Sequence, residues 1–229
     1  MSSRVNAVLD EVGIPCLTPN FSVVRVLNAL SSAVTIDVLI NNLVVADDLP
    51  NEKFGGYMTI PKGRNTVKVY VAQQKKVPTL ALIGAEIPES QVVTIAVVGT
   101  LPNIQLVRII DDVNEDISPD EIKARIINLS TDSLNFNASS NGNTISRLLS
   151  PNQVTEYMMV TPGEYRITAA PSGSGGGPIP ATIISLTQGR IYTIYILSNV
   201  DSINQPFIPG RQYEIISSVD GNTIFKKCT

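Results

Sequence analysis

Four groups of residues have types and spacings that invite chemistry. Asp112-x-Asn114-x-Asp116 repeats the opening of a calcium loop, in which oxygen ligands two residues apart turn toward one ion. An EF-hand would continue with glycine at 117 and glutamate at 123, but the chain has Ile117 and Lys123. That leaves an irregular calcium site or a solvated acidic joint. Cys16 and Cys228 lie near opposite ends. Two such thiols can bridge to each other, bridge neighbouring subunits, or stay free. Tyr57, Tyr157 and Tyr165 offer either an aromatic face for sugar or packing in core and turns. Lys226-Lys227 is too short for a nucleic-acid patch and reads as a solvated end.

Histidine and tryptophan are absent. Without imidazole there is no ready general base near neutral pH, no histidine-activated serine or cysteine, and no histidine-ligated metal. The carboxylates gather in loop-like segments, at Asp47-Asp48 and across 111–121, rather than at the ends of apolar strands. The expectation is a protein that is not an enzyme and takes no cofactor.

These residues hang on a repeated framework. Glu-Tyr-Met-Met-Val-Thr-Pro-Gly-Glu-Tyr-Arg-Ile at 156–167 echoes Gly-Tyr-Met-Thr-Ile-Pro-Lys-Gly at 56–63. Tyr57 and Tyr157, Gly63 and Gly163, Arg25 and Arg125, Asn28 and Asn128, and Pro78 and Pro178 all recur at an offset of 100. One domain is written twice. Residues 55–71 read as strand, tight turn, strand: Pro61 and Gly63 supply the turn, and Val67, Val69 and Val71 alternate as in a strand with one buried face. About seven short strands per repeat, with no helical period, predict an all-β chain of two tandem antiparallel Ig-like β-sandwiches.

The expected boundaries are an N-terminal extension and connector at 1–20, repeat one at 21–112, an acidic linker at 113–121, repeat two at 122–219, and a C-terminal tail or extra strand at 220–229. Pro15 and Pro19 make the extension an extended segment; residues 5–9 fit a short helix or a strand. Asp220-Gly221 signals a tight turn. A hydrophobic share of 43% against 16% charged residues excludes a disordered chain. A net charge of −3 gives nucleic acid or anionic membrane nothing to hold. No apolar run approaches the roughly 20 residues of a membrane span.

The order of the features resembles the DUF4397 family of bacterial β-sandwich domains. The residues that carry it are Val-Val-Arg-Val-Leu-Asn-Ala at 23–29, Thr-Ile-Asp-Val-Leu-Ile-Asn at 35–41, Gly-Gly-Tyr-Met-Thr-Ile-Pro-Lys-Gly at 55–63, Ala-Val-Val-Gly-Thr at 96–100 and Val-Arg-Ile-Ile-Asp-Asp at 107–112. Repeat one matches over nearly its whole length and repeat two more loosely. The resemblance implies a surface setting, often in tandem, and no assigned chemistry. Residues 1–11 lack the apolar core of a secretory signal and carry acids where it would sit. A surface-type domain made without such a signal fits the spore coat and spore appendages, whose subunits come from the mother-cell cytoplasm; the alternative is a cytoplasmic protein.

The expected function is a structural subunit that self-assembles into a bacterial surface, spore-coat or appendage fibre or layer. Low charge and many Val and Ile residues give surfaces that can be buried on a neighbour, and sandwich edges invite strand addition. Residues 1–20 would be the connecting arm, with Cys16 and Cys228 as covalent links between subunits. The expected partner is the chain itself, with other surface or coat proteins as a further possibility. The rival is an adhesive or carbohydrate-binding module using loops near Asn41-Asn42 or at 172–177.

Overall fold

The structure, a computed structural model, describes residues 8–9, 15–72, 80–111, 117–131, 135–172, 179–199, 212–221 and 225–227. Repeat one contains β3 (Phe21–Leu30), β4 (Ile36–Ile40), β5 (Leu43–Leu49), β6 (Met58–Pro61), β7 (Gly63–Val71), β8 (Ala81–Ile87), β9 (Val92–Thr100) and β10 (Asn103–Asp111). They form two sheets, in the orders β10-β9-β3-β6 and β5-β4-β7-β8. Repeat two runs through β11 (Ile122–Asn128), β12 (Phe136–Ser140), β13 (Asn143–Leu149), β14 (Met158–Val160), β15 (Gly163–Pro171), β16 (Thr182–Leu186), β17 (Arg190–Asn199) and β18 (Gln212–Val219). Its sheets are β14-β11-β17-β18 and β13-β12-β15-β16, the same arrangement. The all-β tandem-sandwich reading holds.

Two details differ from the sequence reading, and a third was left open by it. Each repeat has eight described strands rather than about seven. The sandwiches are mixed, because β3 pairs with β9 in parallel, and β11 likewise with β17. A parallel central pair explains the composition of β3: flanked on both edges and covered on both faces, it reads as a near-continuous apolar run, and nine of its ten residues are buried. Residues 55–71 are strand, turn, strand as read, but the two strands belong to different sheets. β6 pairs with β3 in one sheet, whereas β7 pairs with β4 and β8 in the other. Pro61 and Gly63 (φ 92°) therefore turn the chain from one sheet to the facing one, and glycine tolerates the left-handed backbone this needs.

The hairpins repeat in detail. Asn41 and Asn42, at φ 48° and 66°, make the two-residue loop between β4 and β5, and Asn141 and Gly142, at 48° and 82°, make its counterpart. Two positive φ values suit the twist of a tight hairpin, and Asn-Asn or Asn-Gly tolerates them. A bulge follows in each, at Ile36/Val38 and at Phe136/Ala138. Asp37 accepts the Asp48 amide at 2.8 Å, and Asn137 the Leu148 amide at 3.1 Å.

The core of repeat one contains Val24, Val26, Ile36, Val38, Val67, Val69, Val93 and Ile95, and that of repeat two Ile122, Ile126, Phe136, Ile167, Ile194 and Ile196. Burying one such aliphatic side chain favours folding by roughly 1.5–3 kcal/mol, so each sandwich has enough core to stand by itself.

The terminal segments form a small sheet of their own. β1 (Val8–Leu9), β2 (Pro15–Leu17) and β19 (Lys226–Lys227) hydrogen-bond in the order β1-β2-β19. The part of 5–9 that is described is thus strand, not helix. The chain divides into two compact units, and the described residues of Gly221–Thr229 belong with repeat one, although repeat two precedes them in sequence.

Candidate functional site

In repeat one, the central strand β3 carries one charged residue in its apolar run, Arg25, only 6% exposed. Its Nε donates to Thr94 Oγ1 at 2.9 Å. Its guanidinium lies 4.5 Å from the Phe54 ring centre and 5.0 Å from that of Tyr57, a cation–π stack shielded from water. Asp111 closes β10, fully buried opposite Val92.

Gly221 and residues 225–227 sit on this cluster. The Gly221 amide donates to Asp111 Oδ2 at 2.8 Å. A Cβ at Gly221 would come within 2.6 Å of Tyr57 Oη and closer still to Val92, so only glycine fits. The Phe225 amide returns to the Gly221 carbonyl at 2.8 Å. Phe225 then packs with Leu17, Val23 and Val92, its ring edge-on to Tyr57 with centres 5.3 Å apart. Beyond it, Lys226 and Lys227 pair in parallel with Cys16 and Leu17. A charge-assisted hydrogen bond, a buried aromatic and a β-pair thus hold the segment.

Repeat two carries the same cluster one offset later. Arg125 Nε donates to Thr193 Oγ1 at 2.9 Å, and the guanidinium stacks 4.5 Å over Tyr157. Asp220 takes the place that Asp111 has in repeat one. Its Oδ2 accepts from Tyr157 Oη at 2.7 Å and Thr193 Oγ1 at 2.8 Å, with Arg125 Nη2 at 3.6 Å. Asp220 is therefore fixed in repeat two, while the very next residue is fixed in repeat one.

Asn28 and Asn128, both fully buried, add a second repeated polar lock. Their side-chain amides donate to the Leu49 and Leu149 carbonyls at 3.1 and 3.0 Å, and their oxygens accept the Leu30 and Ser130 amides. At the surface, Lys62 donates to Glu89 and pairs with it. That hydrogen bond, reinforced by the ammonium charge, holds the Glu89 carboxyl below its usual range.

Of the residues singled out from sequence, Tyr57 and Tyr157 join these clusters, and the Tyr165 hydroxyl donates to the Thr161 carbonyl at 2.8 Å in the turn it spans. Cys16 lies on β2 with its backbone opposite Lys226. Its side chain, Cys228, and Asp112, Asn114 and Asp116 lie outside the described residues. Among the described residues, no three of Cys, Asp and Glu gather as a metal site. The seat of Gly221 and Phe225 was not foreseen. A buried-type strand interrupted by one arginine, twice, was the signal for it.

The family model "Domain of unknown function (DUF4397)" matches residues 22–138 and again 122–209. The chain belongs to the DUF4397 family. Both DUF4397 matches include their Arg and Asn of the buried locks. No curated protein matches the sequence. Among solved structures the chain is similar to a leucine-rich repeat protein from Bacteroides thetaiotaomicron VPI-5482, at 8% identity and a TM-score of 0.20, over 91% of this chain and 27% of that one. The chain thus spans about a quarter of that protein, and so weak a likeness carries no argument.

Proposed function

We propose that this DUF4397 chain is a structural subunit that self-assembles into a fibre or layer on a bacterial cell or spore, linked by its terminal segments. The observation that carries the reading is the terminal sheet. β2 and β19 come from opposite ends of the sequence and pair through their backbones, a kind of pairing indifferent to whether both strands belong to one chain. The long edge strands β10 and β18, nine and eight residues, offer further places for strand addition. Cys16 on β2 and Cys228, one residue past β19 in sequence, would join subunits covalently, two thiols giving two electrons and two protons to a small disulfide such as oxidised glutathione.

The test is negative-stain electron microscopy with and without reductant, beside a non-reducing gel. Ordered assemblies and a ladder of covalent multimers that collapses on reduction are expected. Dispersed particles in every condition, up to the highest soluble concentration, would reject the reading. The rival, a binding module, draws on a surface depression of ≈ 450 Å³ in repeat two whose lining includes Asn137, Ser139, Thr144, Arg147 and Thr168. It predicts a monomer that binds an oligosaccharide saturably.

A further inference from the structure

We propose that the C-terminal segment is an exchange element: its described residues, Gly221 and 225–227, seat on repeat one of a second copy of this chain through the same contacts they make on their own. This rests on the assembly reading above and says which segment links the copies and what receives it.

Three observations carry it. First, the segment is held by a seat built for it. The Gly221 amide reaches the buried Asp111 carboxylate at 2.8 Å, Phe225 is only 7% exposed among Leu17, Val23, Val92 and Tyr57, and the backbone of β19 pairs with β2. Second, all of these partners lie in repeat one, while the residue just before the segment, Asp220, is anchored in repeat two by Tyr157 and Thr193. A single peptide bond separates the two anchorages. Third, none of the contacts requires that the segment and the seat share a chain, so an exchanged junction has the same hydrogen bonds and buried surface as the closed one. Exchange of an identical element is a low-cost route to association for this reason.

The geometry of such a junction is heterologous. The tail of one copy fills the seat of the next; where the second tail returns to the first copy the pair closes, and where it goes on to a third copy the assembly grows open-ended. Against this works the tether. A tail held beside its own seat acts at an effective concentration on the order of mM, so dilute protein stays closed and exchange sets in when the chain is concentrated.

The experiment is light scattering on the full-length chain, in reductant so that no disulfide contributes. It compares wild type, Phe225→Ala (weak tail, intact seat) and Tyr57→Ala (weak seat, intact tail) from about 10 μM to about 1 mM, a range set by that effective concentration. Circular dichroism confirms that each is folded. Wild type should grow in mass with concentration, and each variant alone should stay at monomer mass. A one-to-one mixture should yield dimers and stop there, because only the tail of Tyr57→Ala and the seat of Phe225→Ala make a sound junction. A third variant, with six Gly/Ser residues inserted after Asp220, keeps tail and seat intact but lengthens the tether and so lowers the tail's effective concentration at its own seat; its onset should move lower in concentration. If wild type assembles and Phe225→Ala assembles equally well, exchange is wrong while assembly stands. If the mixture polymerises without limit, or stays monomeric while wild type assembles, exchange is also wrong. A wild type that stays monomeric throughout removes exchange, and the assembly reading falls with it when the oxidised chain stays dispersed as well.

Discussion

The buried cluster around Asp220 makes a sharp quantitative claim. Asp220 accepts two hydroxyl hydrogen bonds on one oxygen, from Tyr157 at 2.7 Å and Thr193 at 2.8 Å, with the Arg125 guanidinium at 3.6 Å. The Asp220 side chain is fully buried and that of Arg125 is 8% exposed. Tyr157→Phe deletes one donor to a charged acceptor and should cost repeat two about 1.5–3 kcal/mol. Asp220→Ala strands a buried guanidinium and should cost more, about 3–5 kcal/mol. Once Asp220 is gone, the Tyr157 hydroxyl has lost its carboxylate, so Tyr157→Phe should be nearly silent in that background. The double-mutant cycle should then give a coupling of about 1.5–3 kcal/mol, the whole cost of the single Tyr157→Phe change. The assay is urea unfolding with amide hydrogen exchange resolved on β11 and β17, since a chain of two units does not unfold as one. A coupling under about 0.5 kcal/mol, or Asp220→Ala costing no more than Tyr157→Phe, would refute the claim that these groups act as one network.

Other expectations follow from single residues. Gly99 sits at φ +117° with its Cβ direction blocked by the Asn103 carbonyl, so Gly99→Ala should destabilise repeat one by more than about 1 kcal/mol, read as a shift of its urea midpoint. Asn28→Ala and Asn128→Ala each leave a buried carbonyl without its donor and should cost about 1–3 kcal/mol. Because the locks are equivalent, the two costs should agree, and unequal values would argue against that equivalence. Glu89 has a folded pKa depressed first by its hydrogen bond from Lys62 and then by the ammonium charge, so whatever the pair contributes is present above the ordinary carboxylate range and lost as pH falls through the folded value. Side-chain NMR titration should find Glu89 below the other glutamates and back among them in Lys62→Ala.

The offset of 100 was legible because two copies of one fold spaced their turns alike: Asn41 and Asn141, or Gly63 and Gly163, must hold the same positive φ. Alternation in 67–71 gave the inward face of β7, whose Val67 and Val69 are buried. The pairing partner was not legible. A turn at Pro61-Lys62-Gly63 looks the same whether it folds a hairpin or carries the chain to the facing sheet, since local φ preferences say nothing about which strand lies alongside. Arg25 and Arg125 stood out only as markers of the repeat, because the groups that make a buried arginine tolerable, Thr94 and Asp220 among them, lie 69 and 95 residues away in sequence. The seat of Phe225 is another such long-range fact. Nothing near 225 names Val23 or Tyr57.

Repeat one is translated first yet completed last. Its sheets can form as soon as β10 has left the ribosome, but Asp111 waits for Gly221, and Leu17, Val23 and Val92 wait for Phe225, until all of repeat two has been made. Until then the nascent chain carries an apolar pocket and a β2 edge with no occupant. Neighbouring ribosomes on one message bring many such pockets close together. A premature stop between 221 and 225 would therefore leave its lesion in the repeat farthest from it in the gene, and an antibody to the Phe225 seat would bind the truncated chain and not the whole one.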